Sequence, residues 1–275
     1  PPSGWLARYA DRNAATPMGA VGLGVGRPLD FEGGATPAFL ANDLPNFRIY
    51  NFNSPAEIHR LQKAKEILAN FQGTGQATDA KVSQSLAYDL ADQIQTALTD
   101  YNNNPGPVVY GTSYIARRLR EVAVLIRGGF ETRIFYTGFG GFDTHGAQGT
   151  GTGAQANLFG AMDDGIGSLV DDLKEMGVWD DTMIVVLTEF GRRNYENGSV
   201  GTDHGHGFTE LILGGAVKGG MYGPDLVAAD INLEHLTYAV DFRSIYKEIL
   251  TDHLSADPAP IFPEALEKNV VVDFA

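Results

Sequence analysis

The sequence predicts an α/β domain with a mainly parallel sheet flanked by helices, and three observations lead there. Beyond Gly128, strand-like and helix-like patterns alternate, as they do in chains that cross a parallel sheet by way of helices. The run Met183-Ile-Val-Val-Leu187 is apolar at every position, which fits a strand covered on both faces. Ahead of it lie three helical segments, each with a single apolar stripe. The 275 residues can bury a substantial core, and no internal repeat, heptad seam or low-complexity tract divides them. One domain is therefore expected over 1–275, with a loop-rich part (1–53), a helical part (54–127) and an α/β part (128–275).

Each element has a local reason. The first fifty residues are rich in Gly, Pro and Asn and read as loops laid over something larger, with one short strand at Met18 to Val25. At Ser54-Pro55-Ala-Glu57 a serine cap, a proline at the first helical position and a glutamate that can reach back to the cap start a helix. Ile58, Leu61, Ile67, Leu68 and Phe71 then keep helical period. Leu86, Leu90, Ile94 and Leu98 predict a second helix from Val82 to Tyr101, and a third runs from Ser113 to Arg127. Next come a strand at Arg133 to Thr137, a helix at Ala154 to Met176, strands at Met183 to Thr188 and Glu210 to Leu213, and a helix at Phe242 to Leu254. The Gly/Thr stretch Gly146 to Gly153 reads as a lid.

Composition narrows the function classes. A formal charge of -14 opposes nucleic acid and anionic membranes as partners, because both are polyanions. No run of about eighteen apolar residues predicts a membrane span. The absence of cysteine removes disulfides, thiolate nucleophiles and cysteine-zinc sites together, leaving His, Asp and Glu as the strong metal ligands. The start Pro-Pro-Ser-Gly-Trp carries no methionine and no signal sequence, so a processed or truncated terminus is expected.

The chemistry gathers between Gly140 and Gly207. Two clusters, Gly-Gly-Phe-Asp143-Thr-His145 and Gly-Thr-Asp203-His204-Gly-His206-Gly, bracket the apolar strand, and three of the six histidines lie there. Imidazole nitrogens and carboxylate oxygens converging from separate loops suit a hard or borderline divalent metal, and ligand sites in α/β sheets lie at the carboxyl ends of strands. Asp143 and His145, two apart, point the same way on an extended segment. Glu189 follows a strand expected to be buried and should meet a metal or an arginine, Arg192 being one choice. Arg192 could instead grip a phosphate or sulfate oxygen in its planar fork, with Asn197 orienting it. His59, His235 and His253 read as structural or solvated, and Asp163, Asp164, Asp171 and Asp172 as the polar face of a helix. Ser113, Thr112 and Thr144 lie in no nucleophile elbow, so no nucleophile is assigned.

Several motifs in order carry a resemblance. Gly-Gly-Phe-Asp143-Thr-His145-Gly-Ala-Gln148, Thr188-Glu189-Phe-Gly-Arg192, Asn197 with Gly201-Thr-Asp203-His204-Gly, Gly-Gly-Ala-Val-Lys-Gly-Gly220 and Asp241-Phe-Arg243-Ser-Ile-Tyr246 resemble a bacterial domain-of-unknown-function family, number 1501, placed in the alkaline phosphatase and sulfatase clan. The likeness runs from about Gly4 to Leu254 and takes in Gly4-Trp-Leu-Ala-Arg-Tyr9. It implies an alkaline phosphatase-like fold. It also implies a metal site in which Asp143 and His145 are similar to the clan's earlier Asp and His pair, and Asp203, His204 and His206 fall where the clan places a later histidine. Gln148 and Asn197 become substrate-binding candidates. The clan's strand ending Asp-His-Gly is here Thr188-Glu189-Phe190-Gly191; glutamate keeps an oxygen, but phenylalanine cannot replace histidine, so one of two metal sites is altered or lost.

Family members carry an amino-terminal portion, with the first strand, ahead of the Gly-Trp-Leu segment. The resemblance therefore covers the carboxyl-terminal two thirds, the sheet is expected to lack amino-terminal strands, and the missing segment is an expected partner. Two functions follow. The first is hydrolysis of a small anionic phosphate or sulfate ester with zinc, manganese, calcium or magnesium bound by Asp143, His145, Glu189, Asp203, His204 and His206, with Arg192 as the catalytic cation. The second is a non-catalytic extracytoplasmic binding or structural protein that retains a vestigial metal site. Export signals in related members imply a periplasmic or secreted location.

Overall fold

The computed structural model of the chain describes residues 3–13, 16–48, 54–266 and 272–274. Its elements are α1 (Trp5–Asn13), β1 (Ala20–Leu23), β2 (Phe39–Ala41), α2 (Pro55–Asn70), α3 (Gln76–Asn103), α4 (Tyr114–Arg127), β3 (Ile134–Thr137), α5 (Ala154–Glu175), β4 (Met183–Val186), β5 (Gly191–Arg192), β6 (His204–Gly205), β7 (Leu211–Gly214) and α6 (Phe242–Glu248). A π-helical turn, Ile249–His253, continues α6.

The first fifty residues are more than loops. They supply α1 and two of the three strands of a parallel sheet ordered β2-β1-β3, in register Val21↔Phe39 and Val21↔Phe135. β1 is the central strand and is buried at every position. β1 lies within the strand expected at Met18 to Val25, whereas β2, three residues long among glycines and prolines, shows no alternation to read.

Helix starts follow their caps. Ser54 Oγ accepts from the Glu57 amide at 3.4 Å as the helix cap and donates to the Glu57 carboxylate at 3.0 Å. Ser113 Oγ accepts from the Ala116 amide at 3.2 Å and starts α4. α3 begins six residues before the expected Val82, because its opening turns are polar and exposed and carry no apolar stripe. One side of the parallel sheet packs on α3, α4 and α5 through Val21, Leu23, Phe39, Ile94, Leu98, Leu119, Val122, Leu169 and Leu173. On the other side Tyr9, Tyr246, Leu250, Ile261, Phe262 and Phe274 join α1, α6 and the chain's tail.

The single mainly parallel sheet is corrected in one respect. β4 pairs antiparallel with β7, Val185 opposite Ile212, in a separate two-stranded sheet, and all its positions are half-exposed rather than buried on both faces. Asp172 is likewise not on a polar helix face. It is fully buried and accepts from Tyr101 Oη at 2.7 Å, Tyr110 Oη at 3.1 Å and Arg127 Nη2 at 2.6 Å, while Asp163, Asp164 and Asp171 are exposed as expected. Among the described residues no helix is long and apolar enough to cross a membrane.

Candidate metal centre

Two loops build the site. The first leaves the carboxyl end of β3 and holds Phe142 to Gln148; the second runs from β5 to β6 and holds Arg192 to His204. Backbone hydrogen bonds lace them together: Ala147 N to Ser199 O at 3.0 Å, Gln148 N to Val200 O at 2.9 Å, and Thr202 N to Thr144 O at 3.2 Å. The fit is tight enough that a Cβ on Gly201 would lie 2.3 Å from the His145 carbonyl carbon, which only glycine avoids. Val200, a β-branched residue, is held at φ 60°, and Ala147 at φ 48°. Left-handed conformations of this kind cost energy, and the loop-to-loop bonds retain them.

Three ligand-type atoms meet at this junction. His204 Nε2 lies 2.8 Å from Asp143 Oδ1, His145 Nε2 lies 3.0 Å from the same oxygen, and the two Nε2 atoms are 3.1 Å apart. An ion bonded at about 2.1 Å to neighbouring ligands of a tetrahedral or octahedral shell holds them about 3.0–3.4 Å apart. The donor set therefore fits a divalent metal. The group is open to solvent, with side-chain exposures of 48% for His145, 56% for Asp143 and 46% for His204.

The surrounding hydrogen bonds fix the donors. Asp203 Oδ1 lies 3.1 Å from His145 Nδ1, which donates outward to it and so turns Nε2 toward the cluster. His145 Nε2 faces the Asp143 carboxylate at 3.0 Å, a contact that either a proton on that nitrogen or a bound cation satisfies. Asn197 holds the arrangement from below: Nδ2 donates to Asp203 Oδ1 and to the His145 carbonyl, both at 2.9 Å, and Oδ1 accepts from the amides of Ser199 and Gly201. Hydrogen bonding from His204, reinforced by His145 and Arg192, holds the Asp143 carboxyl below the usual carboxylate range. Bonds from Asn197 and His145 lower Asp203 in the same way.

The other expected residues take different places. Arg192 donates to the carbonyls of Thr202 and Phe142, lies 3.2 Å from Asp143, and rests on the Phe190 ring at 4.9 Å, so it clips the two loops together. Gln148 bridges the same loops by accepting from Thr144 and Thr202 hydroxyls at 3.0 and 2.8 Å. Glu189 is exposed, has no ion-pair or hydrogen-bond partner among the described residues, and lies outside the Asp143–His145–His204 group; β4 stays half-exposed, so the carboxylate reaches water. His206 lies outside the Asp143–His145–His204 group and meets His235 in a tilted ring contact, centroids 3.9 Å apart, a pairing that no motif signals. Phe190 covers one face of the His204 imidazole at 3.8 Å, leaving Nε2 directed at Asp143. Thr144 is buried, its hydroxyl bonded to Gln148.

A protein-family model described as Protein of unknown function (DUF1501) matches residues 4–261. No curated protein matches the chain, and no solved structure does.

Proposed function

The chain belongs to the DUF1501 family, and from that premise we propose that it is a metal-dependent hydrolase of phosphate or sulfate esters with an alkaline phosphatase-like plan, of which it represents the carboxyl-terminal two thirds. The observation that carries the reading is the convergence of Asp143 Oδ1, His145 Nε2 and His204 Nε2, each 2.8–3.1 Å from the others. Asp143, His145 and His204 would hold the ion, and Asp203 would orient His145. Two imidazoles and one carboxylate favour zinc or manganese over the all-oxygen shells of calcium and magnesium. When bound, the metal supplies positive charge for the ester oxygens and lowers the pKa of a hydroxyl or water. The chain's own groups define where the substrate sits: the exposed face of the triad admits a small anionic ester, while Arg192 keeps Asp143 against the junction. A periplasmic or secreted location belongs to the same reading.

A second reading, a non-catalytic extracytoplasmic protein that retains the metal site, is favoured by one observation. Arg192 spends donors on two backbone carbonyls, and the Thr144 hydroxyl is buried and bonded to Gln148, so neither is free to act on an ester. Metal analysis of the purified protein, with calorimetric titration of zinc and manganese, tests the site; His145→Ala and His204→Ala should each abolish tight binding. Hydrolysis of an aryl phosphate and an aryl sulfate, with and without chelator, separates the readings. Bound metal without turnover of either ester by the full gene product would refute the hydrolase reading.

A further inference from the structure

No residue of α2 is buried, and α3 has no buried residue before Tyr88. Tertiary packing supplies most of the stability of a helix in a protein, and a 16-residue helix with nothing buried gains little of it. α2 and α3 are joined by the five residues 71–75 and run antiparallel. Lys65 of α2 bonds Asp92 of α3 and sits 5.8 Å from the centre of the Tyr88 ring. Apolar side chains of this hairpin face water: Ile58 of α2 is 50% exposed, and Val82 and Leu86 of α3 are 59% and 40% exposed.

These three side chains share one side of the hairpin. A groove of about 940 Å³ follows α3 from Leu86 to Asn104, with Leu90, Met18 and Phe130 in its apolar lining. Val82, one turn before Leu86, extends the same stripe. Asp92 also lines the groove, so its partner Lys65 reaches α3 from the groove side of α2. Ile58, seven residues before Lys65, lies two turns away on the same flank. The two helices differ in charge: α2 carries Arg60, Lys63 and Lys65 against Glu57 and Glu66, whereas α3 carries Asp79, Asp89, Asp92 and Asp100 against Lys81. Asp100 and Glu131 of the groove are exposed and form no ion pair among the described residues, while its cation, Arg127, is committed to Asp172 and Glu175.

We propose that two copies of the chain pair through this side of the hairpin in a two-fold dimer, α2 of each copy lying antiparallel over the α3 groove of the other, so that the four helices form a bundle. The lengths agree: at 1.5 Å per residue α2 spans about 24 Å and the groove about 27 Å. With the two-fold axis along the helices, Ile58 of one copy covers the groove of the other, and the Val82–Leu86 stripe is covered in return. Charge selects the second copy as the occupant. A basic helix from another protein would suit α3 and be repelled by α2, and an acidic one the reverse; a second copy presents each helix with its opposite. The inference stands on packing and charge and is independent of the hydrolase reading.

Sedimentation equilibrium on the purified protein should show a dimer at micromolar concentration. Leu86→Lys sets a cation against the basic α2 of the other copy, and Ile58→Asp sets a carboxylate against its acidic α3. Both positions are exposed in a single copy, so each variant should keep the parent's circular dichroism while its dimer dissociation constant rises at least about 100-fold. Leu226→Lys, at an exposed apolar position outside the hairpin, should leave the dimer intact. Hydrogen exchange places the contact without any substitution: the amides of α2 should exchange more slowly as protein concentration rises. A protein that stays monomeric would overturn the proposal. So would a dimer that both hairpin variants leave intact, or one in which α2 exchange does not change with concentration.

Discussion

Replacing Glu210 by glutamine should stabilise the protein at neutral pH and remove part of its pH dependence. Glu210 precedes β7, one of its carboxylate oxygens is buried without a partner, and burial alone pushes its carboxyl from 4.5 up to about 7. Between those values the folded state holds a proton that the unfolded chain has released. The stability contributed by that proton is fully present below pH 4.5 and is lost as pH rises to about 7. At about 1.4 kcal/mol per pH unit, the window is worth at most ~3.5 kcal/mol. Glu210 is only half-buried, and screening by water reduces this to about 1.5 kcal/mol. The E210Q variant keeps the size and hydrogen-bonding capacity of the side chain but has no charge to desolvate. Urea unfolding of both proteins from about pH 4 to pH 8 reads the difference directly: the curves should coincide at the acid end and separate toward neutrality, with the variant melting about 3–6 °C higher. Glu121, also raised to about 7 by burial, is present in both proteins and cancels. A variant no more stable than the parent at neutral pH, or a separation of the same size at the acid end, would refute the reasoning.

Other perturbations follow from the site and the core. Asp203→Asn should weaken zinc binding about 10–100-fold without abolishing it, since Asp203 acts through His145; calorimetry beside His145→Ala distinguishes a positioning group from a ligand. Asp172→Asn removes the charge that meets Arg127 and two tyrosine hydroxyls, and should cost about 3 kcal/mol in denaturant unfolding. Val200→Asn, at an exposed position with φ 60°, should add roughly 0.5–1 kcal/mol, because asparagine tolerates that conformation better than a β-branched residue. An unchanged or lowered stability of this last variant would show that the backbone there is not strained.

Sequence carried the helices and the position of the site, and geometry decided the roles. Ser54 and Ser113 announce their helices because a cap is a local bond three residues long. Asp143, His145 and His204 stand out because ligand types beside glycines have few packing uses. Spacing alone could not tell that Asp203 orients while its neighbour His204 points into the cluster, since that depends on which side of a loop faces His145. Nor could it show that Arg192 closes on two carbonyls, for these lie on chain segments far apart. Asp172 has the helical phase of a surface residue if Arg127 and the tyrosines across from it are ignored. The antiparallel pairing of β4 is not legible because an all-apolar run does not encode strand direction.

The wide chain separation of the ligands has a kinetic consequence. Asp143 and His204 are 61 residues apart, with α5 and β4 between them. Contacts of such long range repay their loop-closure entropy only after the intervening elements have docked. The junction that carries the candidate metal group is therefore expected to assemble late, beyond the main folding barrier. Zinc added to a refolding chain should leave the folding rate nearly unchanged and slow unfolding instead, so that bound metal acts as a latch on the finished domain rather than as a nucleus for it.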